Sequence, residues 1–205
     1  MELLNLFSTP IFLSNLNLKD EYKNILFEEN YERIKLDNGF VTTNKYVLNN
    51  KKLFSLKEEI FKNLHNYVYE KLKIKNNINF KMLNSWCTKH LHNDWSQSHY
   101  HENSLISGVL YLKTYENSGN LIFYRDNLNN LFPNVIKIEY EEYDLNNCQS
   151  FIVKPKEGDL IIFPSHLKHS VENNLNKNDR YCCAFNFFPC GTFGQDRHQN
   201  YMELN

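Results

Sequence analysis

The chain has 205 residues, and its 23 Lys and Arg nearly balance 24 Asp and Glu, for a formal net charge of −1. That length accommodates one domain with a substantial core, and so even a balance supplies no general electrostatic pull toward nucleic acid or a membrane surface. No stretch is apolar for long enough to span a bilayer. Five cysteines, an odd number with no Cys-x-x-Cys pair, read as reduced thiols in a cytoplasm rather than a disulfide frame or a zinc site.

In chain order, MELLNLFSTPIFLSN lacks the basic leader and small-residue cleavage site of a signal peptide, and Glu2, Asn5 and Pro10 interrupt its apolar run. Within it LFSTPIFL reads as extended. The rest of residues 1–78 reads as a helical support region. One helix is expected over Asp20 to Arg33, with Tyr22, Ile25 and Leu26 as its apolar side. A stronger one follows Ser55-Leu56-Lys57-Glu58, which has the form of a capping box. Behind that box Leu56, Ile60, Leu64, Val68 and Leu72 recur every four residues along one face.

From Asn79 the texture changes to short runs rich in Val, Ile, Tyr and Phe: KMLNSWCT, ISGVLYLK, NLIFYRD, NVIKIEYEEY, SFIVKP, DLIIFP and RYCCAFNFF. Turn signals at 117–120, 156–159 and 176–179 punctuate them. Seven or eight strands with no helix between them predict a mainly β chain with N-terminal helices. The expected arrangement is an antiparallel sandwich or jelly roll over residues 79–205, its outer face carrying the helices, in one domain over residues 1–205. Glu139, Tyr140, Glu141, Glu142 and Tyr143 look like a solvated edge strand.

Eight histidines are present. His99 and His101 lie two apart, so in a strand both point to one face. A third imidazole can come from DLIIFPSHLKHSVEN, where a strand ends and a turn delivers His166 and His169. Two ligands from one strand edge and a third from a distant one can fix iron(II) and leave coordination positions open. His65 and His198 fit structural roles, and His90 and His92 read as surface or lining residues.

Arg180 opens the last strand. Arg180, Cys182, Ala184 and Asn186 share one face, small and polar as a ligand-lined interior would be, while Tyr181, Cys183, Phe185 and Phe187 share an aromatic one. An inward arginine calls for an anion, and a carboxylate fits its fork; Glu157 and Asp159 are the alternative salt-bridge partners. Tyr111 can offer its hydroxyl to such an anion or simply pack in the core. Asn84 and Trp86 share a strand face that can line the pocket.

Taken in order, SHYHENSLISGVLYL, EGDLIIFPSHLKHSV, RYCCAFNFF and CGTFGQ, with LFSTPIF at the start, resemble a family of 2-oxoglutarate/iron(II)-dependent oxygenases found in marine phages and bacteria. The resemblance implies a double-stranded β-helix (a cupin-like jelly roll), a mononuclear Fe(II) and 2-oxoglutarate as cosubstrate. It assigns His99, His101 and His169 as metal ligands and Arg180 as partner of the distal carboxylate. It implies oxidation of an unknown primary substrate, coupled to oxidative decarboxylation of 2-oxoglutarate, in a cytoplasm (the host's, if phage-encoded). Monomer and homodimer are both compatible.

One departure from the wider superfamily stands out: most 2-oxoglutarate oxygenases use His-x-Asp or His-x-Glu, and here His101 occupies the place of the acid. Glu102 could displace it, and His92-Asn93-Asp94 is a literal His-x-Asp, although Asn93-Asp94 reads as a turn. Two other classes stay open, a three-histidine cupin-like metalloenzyme that does not use 2-oxoglutarate and a non-catalytic jelly-roll binding module.

Overall fold

The computed structural model describes residues 8–34, 39–125, 138–197 and 199–204. The chain enters through strand β1 (Phe12–Asn15), helix α1 (Asp20–Phe27) and the short strands β2 (Tyr31–Arg33) and β3 (Phe40–Thr42). Two 3-10 turns, Val47–Asn49 and Lys51–Leu53, lead into helix α2 (Phe54–His65), which widens into a π-helical turn over Asn66–Lys71. There follow β4 (Ile78–His90), β5 (Ser96–His99), β6 (Ile106–Lys113), β7 (Leu121–Tyr124) and β8 (Ser150–Val153). The chain ends with β9 (Asp159–Pro164), β10 (His169–Val171), β11 (Arg180–Phe193) and β12 (Met202–Leu204).

These strands form two sheets. The larger runs β1-β9-β6-β11-β4-β3-β2, with β12 added to β11, and the smaller runs β5-β10-β7-β8. Every strand ladder among the described residues is antiparallel. The large sheet is covered on both faces. On one, Leu110, Leu112, Leu160, Ile162, Cys183, Phe185 and Phe187 pack against Leu26, Leu56, Ile60, Leu64 and Val68 of the helical region. On the other, Tyr111, Ile161, Phe163 and Cys182 meet Leu121 and Phe123 of the small sheet. Alternation along β6, β9 and β11 therefore sorts side chains between two interiors, which is why ISGVLYLK and DLIIFP are apolar at nearly every position. The architecture is the expected jelly roll, mainly β with helices on one outer face.

Several local expectations change. The helix foreseen over Asp20 to Arg33 stops at Phe27, because Tyr31–Arg33 pairs with Phe40–Thr42 and extends the large sheet. The Tyr31 hydroxyl fastens the turn by donating to the Leu26 carbonyl at 2.8 Å. Ser55 is not a cap. It is the second residue of α2, and the preceding turn is closed instead by Asn50, whose side chain accepts from the Lys52 N–H. Of NVIKIEYEEY, residues 134–137 lie outside the described residues, and 138–143 form no strand; the exposed edge strand expected around Glu139 and Tyr143 is absent there. Ser96–His99 and His169–Val171 are strands that no apolar alternation announces, and both end at the site.

Candidate metal centre

β5 and β10 pair antiparallel with His99 directly opposite His169. His101 lies just beyond β5, where its backbone N–H donates to the Ser165 carbonyl at 3.0 Å. The three rings converge: centroids are 4.4 Å apart for His99 and His169, 5.1 Å for His101 and His169, and 5.5 Å for His99 and His101. One ring nitrogen from each lies within 4.8 Å of the others, in the only such grouping of His, Cys, Asp or Glu among the described residues.

Each Nδ1 has an oxygen acceptor. His99 Nδ1 meets the Gln97 carbonyl at 2.8 Å, His169 Nδ1 the Leu167 carbonyl at 2.8 Å, and His101 Nδ1 the Asn186 Oδ1 at 2.7 Å. A carbonyl or amide oxygen only accepts, so in each neutral ring the proton sits on Nδ1 and Nε2 keeps its lone pair. Burial, aided by the nearby His99 and opposed by the Asn186 bond, pulls His101 down to about 4. Burial foremost, then the neighbouring His99 and His101, pulls His169 down to about 3 against its bond to Leu167. Unprotonated imidazoles at neutral pH are the form a metal ion takes.

The support extends outward. Asn186 Oδ1 also accepts from Ser107 Oγ at 2.8 Å, Ser107 Oγ lies 2.8 Å from Ser165 Oγ, and Ser104 Oγ donates to Ser165 Oγ at 2.8 Å. A run of hydroxyls thus orients the amide that orients His101. Aromatic rings wall the centre: Phe163 is 4.9 Å from His169, Phe123 is 5.9 Å from His169, and Trp86 is 5.6 Å from His101. Asn84, across from Asn186 on β4, has a buried Oδ1 with no partner.

Arg180 is 1% exposed. Its Nη1 donates to the Ser118 and Gly119 carbonyls at 3.4 and 3.3 Å, its Nη2 to His90 Nδ1, and its Nε has no partner among the described residues. The two acids considered as its salt-bridge partners go elsewhere. Glu157 pairs with Lys23 at 2.7 Å, and Asp159 accepts from Asn15 and from the Lys156 N–H. No carboxylate pairs with Arg180 among the described residues. Tyr111 is buried on the same inward face, opposite Cys182 in the ladder. Burial raises its hydroxyl pKa, and the Arg180 charge pulls against that rise.

The alternative ligands fall away from the centre. Asp94 is buried in an ion pair with Arg33 and accepts from the Leu91 N–H, while His92 is exposed beside the Asn176 carbonyl. Glu102 and His166 are exposed and outside the cluster, His65 packs on Tyr69, and His198 lies outside the described residues. His90, read from sequence as a surface or lining residue, is 1% exposed and touches Arg180. The signal was there to find: Asn84, Trp86, Thr88 and His90 alternate along one face of β4, and His90 pairs with Arg180. Asn186 was placed on the inward face, but its bond to His101 depends on a loop whose path the sequence does not reveal.

The family model described as "Putative 2OG-Fe(II) oxygenase" matches residues 84–186. That is 103 of 205 positions, and the match includes the three histidines, Tyr111 and Arg180. No curated protein matches the sequence. Among solved structures, HygX from Streptomyces hygroscopicus, bound to nickel, 2-oxoglutarate and hygromycin B, superposes with a TM-score of 0.60 at 11% identity, covering 96% of this chain and 93% of its own. The carbocyclase SnoK from nogalamycin biosynthesis gives 0.61 at 11% identity, covering 89% and 82%. A Pseudomonas putida prolyl-4-hydroxylase gives 0.51 at 12% identity, covering 89% and 94%. At such identities the likeness is one of fold, and it bears out the jelly roll.

Proposed function

The chain belongs to the 2OG-Fe(II) oxygenase family, and from that premise we propose that His99, His101 and His169 hold one Fe(II) ion while Arg180 receives the distal carboxylate of 2-oxoglutarate. The observation that carries this reading is the set of three imidazoles, each with Nδ1 bound to an oxygen, whose ring nitrogens gather within 4.8 Å. An all-imidazole donor set suits a first-row transition ion. The unpartnered buried Nε of Arg180, with no carboxylate among the described residues to neutralise the guanidinium, suits an anionic cosubstrate. HygX, with nickel and 2-oxoglutarate bound on the same fold, supports the pairing of a metal with that cosubstrate.

When bound, iron and 2-oxoglutarate supply a dioxygen-dependent oxidation of the primary substrate coupled to decarboxylation of the cosubstrate to succinate. The protein supplies position and surroundings. The Gln97 and Leu167 carbonyls and Asn186 fix the planes and tautomers of the three rings before any metal arrives. Phe123, Phe163 and Trp86 form the apolar walls that keep water from the centre. Arg180 brings a full positive charge, and Tyr111, buried on the same inward face and inside the field of that charge, would offer its hydroxyl to the same carboxylate. With His101 where most 2-oxoglutarate oxygenases carry an acid, the proposed ligand set is neutral, so a bound ion would keep one more unit of charge with which to attract an anionic cosubstrate.

The test is calorimetric and chemical. 2-Oxoglutarate should bind Mn(II)-loaded protein anaerobically and not metal-free protein, and Fe(II) with dioxygen should release succinate. Metal-independent binding, or no succinate from the iron form, contradicts the reading.

A further inference from the structure

The contact between His90 and Arg180 joins the two halves of the site. Arg180 is always cationic and can only donate, so His90 Nδ1, its acceptor, must carry a lone pair. The ring proton then sits on Nε2, where it faces Ser96 Oγ at 3.1 Å. Ser96 opens β5, the strand whose last residue is His99. One buried imidazole therefore fastens the anion-seeking guanidinium to the strand that carries a candidate ligand. Gly39 closes behind the ring, because a Cβ at that position would come within 2.6 Å of His90 Nε2. The fit admits no side chain there unless His90 moves.

The choice of acceptor has an electrostatic consequence. A buried arginine is most often steadied by a carboxylate, which also cancels its charge. Here the steadying groups are two carbonyls and a neutral ring, so among the described residues the guanidinium is oriented without being neutralised. We infer that His90 is a positioning residue of the anion site: a neutral acceptor that holds Arg180 in place while leaving its whole charge, and its Nε–H, for the incoming carboxylate. The inference rests on Arg180 being the partner of the 2-oxoglutarate distal carboxylate.

Asn and Asp isolate the charge, since their Oδ1 lies two bonds from Cβ as His Nδ1 does, and both lose the Ser96 contact equally. The experiment is anaerobic titration of 2-oxoglutarate into Mn(II)-loaded His90→Asn and His90→Asp proteins, with Mn(II) affinity measured alongside. The Asn variant is expected to bind within about threefold of the wild type, and the Asp variant about tenfold or more weaker, at unchanged Mn(II) affinity. 2-Oxopentanoate, which lacks the distal carboxylate, should bind all three proteins alike.

Equal 2-oxoglutarate affinity in the Asp and Asn variants overturns the inference. Should the Asp variant not fold, His90→Leu takes its place. It removes the acceptor without adding charge, and a dissociation constant equal to that of the wild type overturns the inference in the same way. Arg180→Ala separates the levels. If it binds 2-oxoglutarate as the wild type does, the reading of Arg180 itself fails. If it binds weakly while Asp and Asn coincide, only the role of His90 fails.

Discussion

A histidine whose second nitrogen is taken by another group can offer the first to a metal ion, and for His99, His101 and His169 that other group is an oxygen. Removing it from His101 leaves the proposed ligand in place but free to turn, so Asn186→Ala should weaken Mn(II) binding by about 10- to 100-fold. Unchanged affinity by calorimetry would remove Asn186 from the centre's support. His90 offers a pH test. Burial first, then the cations Arg180 and Arg33, hold its folded pKa down to about 2, whereas an unfolded histidine titrates near 6.5. Between those values the unfolded chain binds a proton that the folded one refuses. The stabilising contribution is therefore complete above pH ~6.5 and declines as pH falls toward the folded value. At pH 5 metal-free wild type should have lost about 2 kcal/mol more, relative to pH 7, than His90→Asn, as read from urea unfolding. Parallel pH profiles would place His90 in a wetter setting than the fold gives it. The sequence displayed His99, His101, His169 and Arg180 because their spacing survives without knowledge of loops. His90 was legible only as one more alternating position on KMLNSWCTKH, and a buried neutral imidazole looks the same in sequence as an exposed one.

Among elements, the long strands were readable and the short ones were not. β6 and β9 coincide with ISGVLYLK and DLIIFP, since burial on both faces leaves an unbroken apolar run. SQSH and HSV carry no such run. Their pairing is imposed by β7 and by each other, and the hydrophobic burial that drives it belongs to Phe123 and Phe163. Tyr31–Arg33 shows the opposite error, a segment with helical character captured by a sheet edge. Within β6 the tightest point is Gly108, where an added methyl group would overlap the buried Phe185 ring on β11. Gly108→Ala should cost about 1–3 kcal/mol, seen as a lower urea midpoint at unchanged slope. A midpoint equal to that of the wild type would mean that the Phe185 ring yields freely.

At the scale of the molecule, two interiors divide the labour. The large sheet against the helices buries Leu26, Leu56, Ile60, Leu64, Phe185 and Phe187 and serves stability, while Tyr111 and the inward residues of β11 face the other interior, where Phe163 packs on His101 and His169. β11 belongs to both: its odd positions from Cys183 to Phe187 anchor the helices, and its even ones supply Arg180, Cys182 and Asn186 to the site. That division was visible in RYCCAFNFF before any coordinates, because alternation alone sorts the strand. The primary substrate was not, because alternation along strands says nothing of the side chains that loops bring together. If the two ligands share one interior, 2-oxoglutarate should raise the melting temperature of Mn(II)-loaded protein and leave that of the metal-free protein unmoved. A rise without metal would detach the anion site from the metal centre. The most direct measurement is an anaerobic crystal structure of the Mn(II)-loaded protein with 2-oxoglutarate. The expected density shows one ion held by Nε2 of His99, His101 and His169, and the distal carboxylate on Arg180. An ion ligated by Asp94 or Glu102, or a cosubstrate bound away from Arg180, would contradict it.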